Sequence, residues 1–202
     1  MRFLPLFLAT GFLFPMLLLP ALSQPIDPAS GSDPFPASPP AFSNQLDYTL
    51  YHGGRQTESR PMVRVDRMGN VLVCGQTQSP DFPQIPFESV YPLNSSSVFV
   101  AKFRPDGEII FSRRFGTRMQ FRDASVGAGD DVILLVGGGT ALATLVTPGA
   151  QWTTPTPYGL LVLDSSGGVK YASYIRTDGL QEIVDMETDS NGDIYMIAHT
   201  YS

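Results

Sequence analysis

The chain has 202 residues, of which 43% are hydrophobic and only 16% are charged, and its 19 acidic residues outnumber its 13 basic ones. A net charge of −6 argues against a nucleic-acid partner, because phosphate-binding surfaces need clustered cations. The many Gly and Pro residues favour short strands joined by turns, and the single cysteine, Cys74, excludes an intrachain disulfide.

The first 23 residues are typical of a secretory signal peptide. Arg2 precedes an apolar stretch over residues 3–19, and Ala21-Leu22-Ser23 supplies the small residues that suit cleavage before Gln24. The alternative is an uncleaved membrane anchor, which the small-residue exit disfavours. Cleavage would leave no membrane span, so we expect a protein that is secreted or lies at the cell surface or in the periplasm.

A Pro-rich leader follows over residues 24–45, where six prolines alternate with Ala, Ser and Gly. Such a composition buries too little apolar surface to offset chain entropy, so it predicts a disordered, partly extended segment. We expect ordered structure to begin at about Leu46.

Two short segments recur along the rest of the chain at one common spacing. Residues 46–53 return at residues 109–116 and again from residue 169, at separations of 63 and 60 positions. Residues 66–73 return at residues 189–196, which is 123 positions later. Two unrelated segments therefore give the same period of about 61 residues, which is typical of a repeat architecture.

Each complete period predicts four antiparallel strands joined by two tight turns and one long loop. In the first period the strands are predicted at residues 61–66, 71–75, 98–103 and 108–115, and residues 46–53 match the fourth of them. In the second period strands are predicted at residues 132–137, 158–163 and 169–175. A third period begins at residues 182–185 and ends after its second strand.

This plan predicts an all-β fold made of β-propeller blades, each a sheet of four antiparallel strands. The blades span about residues 55–118, 119–178 and, in part, 179–202, so the repeat region at residues 46–202 holds about two and a half blades. Propellers close with about 4–8 blades. We therefore expect an incomplete ring from an N-terminal fragment of a longer protein or from a truncated product.

The repeats resemble the bacterial seven-bladed β-propeller repeats known as SBBP. The similar segments are residues 66–77 (DRMGNVLVCGQT), 81–86 (DFPQIP), 99–107 (FVAKFRPDG) and 48–54 (YTLYHGG). The resemblance covers about residues 46–202 and weakens in the second blade, where residues 127–131 replace the Asp turn. It implies an exported propeller and assigns no catalytic residues, because proteins of this kind mostly lack an assigned activity.

Aromatic residues in or beside the long loops are the candidate ligand contacts. Trp152, Tyr158, Phe82 and Tyr91 could stack on a sugar or a peptide, since binding residues favour loops on rigid scaffolds. The alternative is that these rings fold down and cover the sheets. Cys74 and His52 are both predicted to be packing residues, Cys74 because it ends an apolar run and His52 because it aligns with Phe115.

One acidic run imitates the start of a calcium-binding loop. Glu187, Asp189, Asn191 and Asp193 place oxygens at alternate positions, but the twelfth position, which needs a bidentate carboxylate, is Ala198. Asn191 is followed by glycine, the preferred pair for a tight hairpin, so a turn is the favoured interpretation. The sequence has no phosphate loop and no nucleophile elbow, and it implies no cofactor.

The sequence leaves three functional hypotheses. The favoured one is an exported, non-catalytic scaffold for surface or extracellular binding or adhesion, with an extracellular protein or a glycan as its partner. The second is the N-terminal part of a secreted propeller enzyme (a hydrolase, lyase or quinone-dependent dehydrogenase) with its site downstream of Ser202. The third is a truncated product without an independent function.

Overall fold

The structure is a computed structural model that describes residues 7–8, 49–86, 95–176 and 178–200. Apart from Phe7–Leu8, the predicted signal peptide and the predicted Pro-rich leader lie outside these residues. The only helices in the described ranges are two short 3₁₀ segments, Ala128–Asp130 and Gly139–Leu142, neither of which could reach across a bilayer. The prediction of an all-β fold is confirmed.

Eleven strands form three sheets within the described residues, and none of these sheets closes on itself. The first sheet has the order β2 (Glu58–Val65), β3 (Val71–Thr77), β4 (Ser97–Phe103), β5 (Ile109–Phe115). The second has the order β6 (Gln120–Val126), β7 (Val132–Gly137), β8 (Tyr158–Leu163), β9 (Val169–Tyr174). The third pairs β10 (Leu180–Thr188) with β11 (Ile194–Thr200), and β1 (Phe7–Leu8) lies parallel beside β11.

The predicted strands from residue 61 onward are confirmed, with boundaries that differ by three residues at most. A difference of three residues occurs at β2, which begins at Glu58 because a bulge between Ser59 and Met62 carries the strand past Pro61. Arg60 adopts a φ of 53° in this bulge. Strand β6 has no counterpart among the sequence predictions.

The leading strand predicted at residues 46–53 is wrong over the residues that the structure describes. Residues 49–54 form no strand, and residues 46–48 lie outside the described ranges. Instead, the segment packs against the first sheet through His52, whose ring centroid lies 5.2 Å from that of Phe82 and 5.4 Å from that of Phe103. A strand needs a neighbour with free backbone groups, whereas a sheet face offers only side chains.

The hairpins share one turn, which fixes the alignment of the three repeats. A backbone N–H donates to the carbonyl four residues later in the first, second and third sheets, at Asp66, Gly127 and Asp189. Gly69 and Gly192 take a φ of 81° and 85° in two of these turns, a conformation that favours glycine. Asp66, Gly127 and Asp189 are therefore equivalent positions of the three repeats.

The sheets pack face to face, and the second sheet is buried on both faces. Leu134 and Leu161 belong to the core shared with the first sheet, and Leu135 and Leu160 belong to the core shared with the third. All four residues are at most 2% exposed. Full burial on both faces explains why β7 and β8 are continuous apolar runs without alternation.

The three sheets fan around a common edge instead of stacking in a straight line. The Arg67 N–H lies 3.3 Å from Asp130 Oδ1 in the second sheet's turn, and Arg67 Nη2 lies 3.4 Å from the Ser190 carbonyl in the third. Packed sheets are about 10 Å apart, so a straight stack would separate the first and third sheets by about 20 Å. Contact between them requires the first strand of each sheet to lie near one axis, a propeller-like arrangement.

Each long loop folds back and covers the outer edge of its own sheet. Ile85 and Ser112 exchange two backbone hydrogen bonds of 2.8 Å along β5. Along β9, the Thr147 N–H donates to the Ala172 carbonyl at 3.1 Å, and the Tyr174 N–H donates to the Trp152 carbonyl at 3.0 Å. Uncovered strand edges invite pairing with other chains, so these loops protect two sheets from aggregation.

Cys74 lies inside the core between the first two sheets and is expected to be chemically inert in the folded protein. It is 1% exposed, and burial raises the pKa of its thiol to about 12. Since only the thiolate reacts, iodoacetamide at pH 8 should leave the folded chain unlabelled and should label it fully in denaturing urea. Mass spectrometry checks this, and rapid labelling without denaturant would contradict the burial of Cys74.

Candidate functional site

The long loops and the inter-sheet connections lie at one end of the sheets, and the tight turns lie at the other. This follows from the antiparallel strand order, which returns the chain to the same end after every second strand. The described parts of the long loops (residues 78–86, 95–96 and 138–157) and of the inter-sheet connections (residues 116–119, 175–176 and 178–179) therefore share one end. We call it the loop end.

A cleft of about 410 Å³ opens between the second and third sheets and includes loop-end residues. Its walls include Trp152 from the long loop, Leu160 from β8, Arg176 after β9 and Met196 from β11. The Arg176 Cζ atom lies 5.3 Å from the centroid of the Trp152 ring, which is cation–π geometry. The same guanidinium is paired through its Nε with the Asp178 carboxylate, so the cleft joins an aromatic face, an ion pair and an apolar floor.

The backbone of Trp152 is fixed to the second sheet. Its N–H donates to Ser173 Oγ at 3.0 Å, and its carbonyl accepts the Tyr174 N–H at 3.0 Å. The indole Nε1 is buried and has no hydrogen-bond partner among the described residues. A buried donor without a partner carries a desolvation penalty.

The other predicted ligand contacts do not join this cleft. Phe82 is 3% exposed and packs against Phe99 at a centroid distance of 4.7 Å. Tyr158 is 6% exposed, lies at the start of β8 and has the Arg122 guanidinium 5.7 Å from its ring centroid. Both rings cover the sheets, as the alternative interpretation predicts. Tyr91 lies outside the described residues.

The residues that imitate a calcium loop form the hairpin turn between β10 and β11. Asp189 Oδ1 accepts the backbone N–H groups of Asn191 and Asp193, each at 2.9 Å, and these bonds lower the pKa of Asp189. The Glu187 carboxylate lies 3.3 Å from Ser125 Oγ on the neighbouring sheet. Across residues 49–86, 95–176 and 178–200, no group of three or more acidic, histidine or cysteine side chains is arranged to hold a metal ion.

His52 and Ser112 form a contact that imitates a catalytic pair. His52 Nε2 lies 2.8 Å from Ser112 Oγ, and burial lowers the pKa of His52 although Glu58 opposes the shift. However, the Ser112 hydroxyl donates to the Pro83 carbonyl at 2.5 Å, and Ser112 is fully buried. Since substrate cannot reach this hydroxyl and its proton is already engaged, the contact is structural.

Sequence reasoning missed a buried carboxylate that connects all three sheets. Asp123 on β6 accepts the N–H groups of Ala124 and Met186, each at 2.8 Å, and its Oδ1 lies 3.5 Å from Arg64 Nη2 on the first sheet. Burial raises the pKa of Asp123, and the neighbouring Asp185 raises it further, while the two N–H groups lower it. No sequence motif marks Asp123, because its partners lie about one period away on each side.

No protein-family model and no curated protein matches the chain. The resemblance of the repeats to SBBP propellers therefore remains a prediction.

Proposed function

We propose that the chain is an exported scaffold of SBBP-type β-propeller blades, that it is non-catalytic, and that it binds an extracellular ligand at the loop end. The fanned sheets and the period of about 61 residues support blades. The signal-like residues 1–23 support export. Binding sites on such scaffolds favour loops held by rigid strands.

The single observation behind the binding role is the cleft at Trp152. An aromatic face with a nearby guanidinium suits a ring-shaped ligand that carries an anionic group. An acidic glycan combines these properties, since a sugar ring stacks on tryptophan and its carboxylate pairs with arginine. We therefore propose an acidic glycan as the ligand class.

Binding can be followed by intrinsic fluorescence, because Trp152 is the only tryptophan in the chain. Titration with tetragalacturonate should produce a saturable change in emission, whereas the neutral cellotetraose should bind at least about tenfold more weakly. Arg176→Ala should weaken tetragalacturonate binding by about tenfold or more, since hydrogen bonds to charged groups contribute about 1.5–3 kcal/mol.

Arg55→Ala is the matched control, because the Arg55 side chain is 93% exposed and its ion pair with Asp81 does not line the cleft. Its affinity should equal that of the wild type. Equal losses of affinity in the Arg55 and Arg176 variants would indicate nonspecific charge attraction and contradict a site at the cleft. No saturable change with tetragalacturonate would contradict the proposed ligand class.

A further inference from the structure

The two outer faces of the three-sheet assembly carry exposed apolar residues. On the first sheet Val63 and Val65 are 56% and 61% exposed, and on the third Tyr195 and Ile197 are 43% and 51% exposed. Single apolar residues are normal on a surface, but grouped ones on a sheet face indicate an interaction site. The internal repeat indicates what covers each face.

Val63 and Val65 lie on what we call the leading face. In the repeat alignment they are equivalent to Ala124 and Val126 of the second sheet. Ala124 is 1% exposed within the core between the first two sheets, and Val126 packs against that core. The leading face of the second sheet is thus covered by the sheet before it, so the first sheet has a face of the same kind that lacks its cover.

Tyr195 and Ile197 lie on what we call the trailing face. They are equivalent to Leu72 and Cys74 of the first sheet, which are buried against the second sheet. The trailing face of the third sheet therefore has the character of a surface that a following sheet covers. The exposed leading and trailing faces are complementary in kind, because the chain itself pairs such faces twice.

Part of the leading face is already covered in the way that a preceding sheet would cover it. His52 lies against Phe103 on this face, and its sequence equivalent Phe115 is buried in the core between the first and second sheets. The segment around His52 therefore takes the place of an outer strand of a preceding sheet. The exposed part of the face, at Val63 and Val65, is where the inner strands of that sheet would pack.

We propose that the trailing face of one chain packs head to tail on the leading face of a second copy. The contact is heterologous, and two such contacts related by a two-fold rotation close a ring of two chains. Asp185, the equivalent of Asp123, is exposed, whereas Asp123 bonds the Met186 N–H of the following sheet. Since Val63 is the equivalent of Met186, the Asp185 carboxylate accepts the N–H of the partner's Val63.

Sedimentation velocity of the purified chain tests this contact over about 1–100 μM, a range that detects micromolar association. The wild type should form a two-chain species. Val63→Glu disables only the leading face, and Ile197→Glu disables only the trailing face. A head-to-tail contact predicts that neither variant forms the closed dimer alone. In a mixture, the intact trailing face of Val63→Glu should pack on the intact leading face of Ile197→Glu and give a dimer with one chain of each.

Met68→Glu is the control, since Met68 is 75% exposed on a hairpin turn and belongs to neither face; it should dimerise as the wild type does. Circular dichroism verifies the fold of each variant, and Val63→Ser or Ile197→Ser replaces a glutamate variant that unfolds. A wild-type chain that is monomeric throughout overturns the proposal. Two further results would overturn the proposal. Either the two folded variants fail to associate when mixed, or each variant still dimerises alone.

Discussion

Replacing Asp66 by alanine is expected to lower the free energy of unfolding by about 3–5 kcal/mol, because it strands a buried cation. Lys102 Nζ lies 2.8 Å from Asp66 Oδ2, and the two side chains are 3% and 0% exposed. The same carboxylate accepts the backbone N–H groups of Met68 and Asn70 at 2.9 and 2.8 Å, so the turn loses its bonds as well. Urea unfolding followed by circular dichroism measures the loss.

The second repeat indicates how the loss can be reversed. There, Gly127 and Val162 occupy the positions of Asp66 and Lys102, so the carboxylate and the amine are both missing. The double variant D66G/K102V should therefore be much more stable than Asp66→Ala, since replacing both members of a buried pair is often close to neutral. Equal losses in the two variants would show that the turn bonds, and not the stranded Lys102, set the cost.

Asp189→Ala is the matched control for the turn, because the Asp189 carboxylate makes the same backbone bonds on an exposed hairpin without a lysine. The free energy of unfolding should fall much less in Asp189→Ala than in Asp66→Ala.

The pH dependence of the free energy of unfolding gives a second measurement of the Asp66 contribution. Burial raises the pKa of Asp66, but the bonds from Lys102 and Asn70 outweigh burial and leave this pKa below its usual 3.8. The stabilisation is therefore complete above pH 3.8 and is lost as the pH falls through the native pKa, and D66G/K102V should lack this acid-dependent part.

Replacing Asp123 by alanine is expected to lower the free energy of unfolding by about 2–4 kcal/mol, because it leaves buried donors without partners. The Met186 N–H on the third sheet and the Ala124 N–H both lose their acceptor, and Arg64 on the first sheet loses its nearby carboxylate. Since these partners lie on all three sheets, unfolding should also become less cooperative. Urea unfolding with circular dichroism and Trp152 fluorescence as separate probes would detect both effects.

The pH dependence of Asp123 has the opposite sign to that of Asp66. Burial and the neighbouring Asp185 raise the pKa of Asp123 above 3.8, so the native state holds this proton more tightly than the unfolded chain. The contribution of Asp123 to stability should fall as the pH rises from 3.8 through the native pKa, and Asp123→Asn should abolish this decline. Asp185→Asn removes a neighbouring carboxylate that raises the pKa of Asp123, so this variant should complete its loss of stability at a lower pH. If Asp123→Asn still loses stability over the same pH range, another group is responsible.

Local chemistry made the hairpins and most strands predictable. Asp66 and Asp189 each open a turn that ends with glycine, and such turns form from a few adjacent residues. Strands β7 and β8 are predictable as buried because they are apolar at every position. The period then predicts which strands share a sheet, because equivalent turns recur at a constant spacing.

Features that depend on distant partners were not predictable. Strand β6 contains Arg122 and Asp123 and so lacks a strong strand pattern, although the Asp123 carboxylate contacts the neighbouring sheets. Arg176 meets Trp152 only because the long loop folds back along β9. The burial of Phe82 has the same cause, since its loop lies along β5. In each case the deciding contact joins residues that no local pattern connects.

The long loops cover their sheet edges mainly through main-chain atoms. Along β5, the bonds between Ile85 and Ser112 join backbone groups only, and along β9 the Trp152 carbonyl is the acceptor. The identity of many loop side chains is therefore free to vary while the edge stays closed. Homologous chains could exchange recognition chemistry at the position of Trp152 without refolding the domain, so divergent ligand preferences could evolve on one unchanged framework.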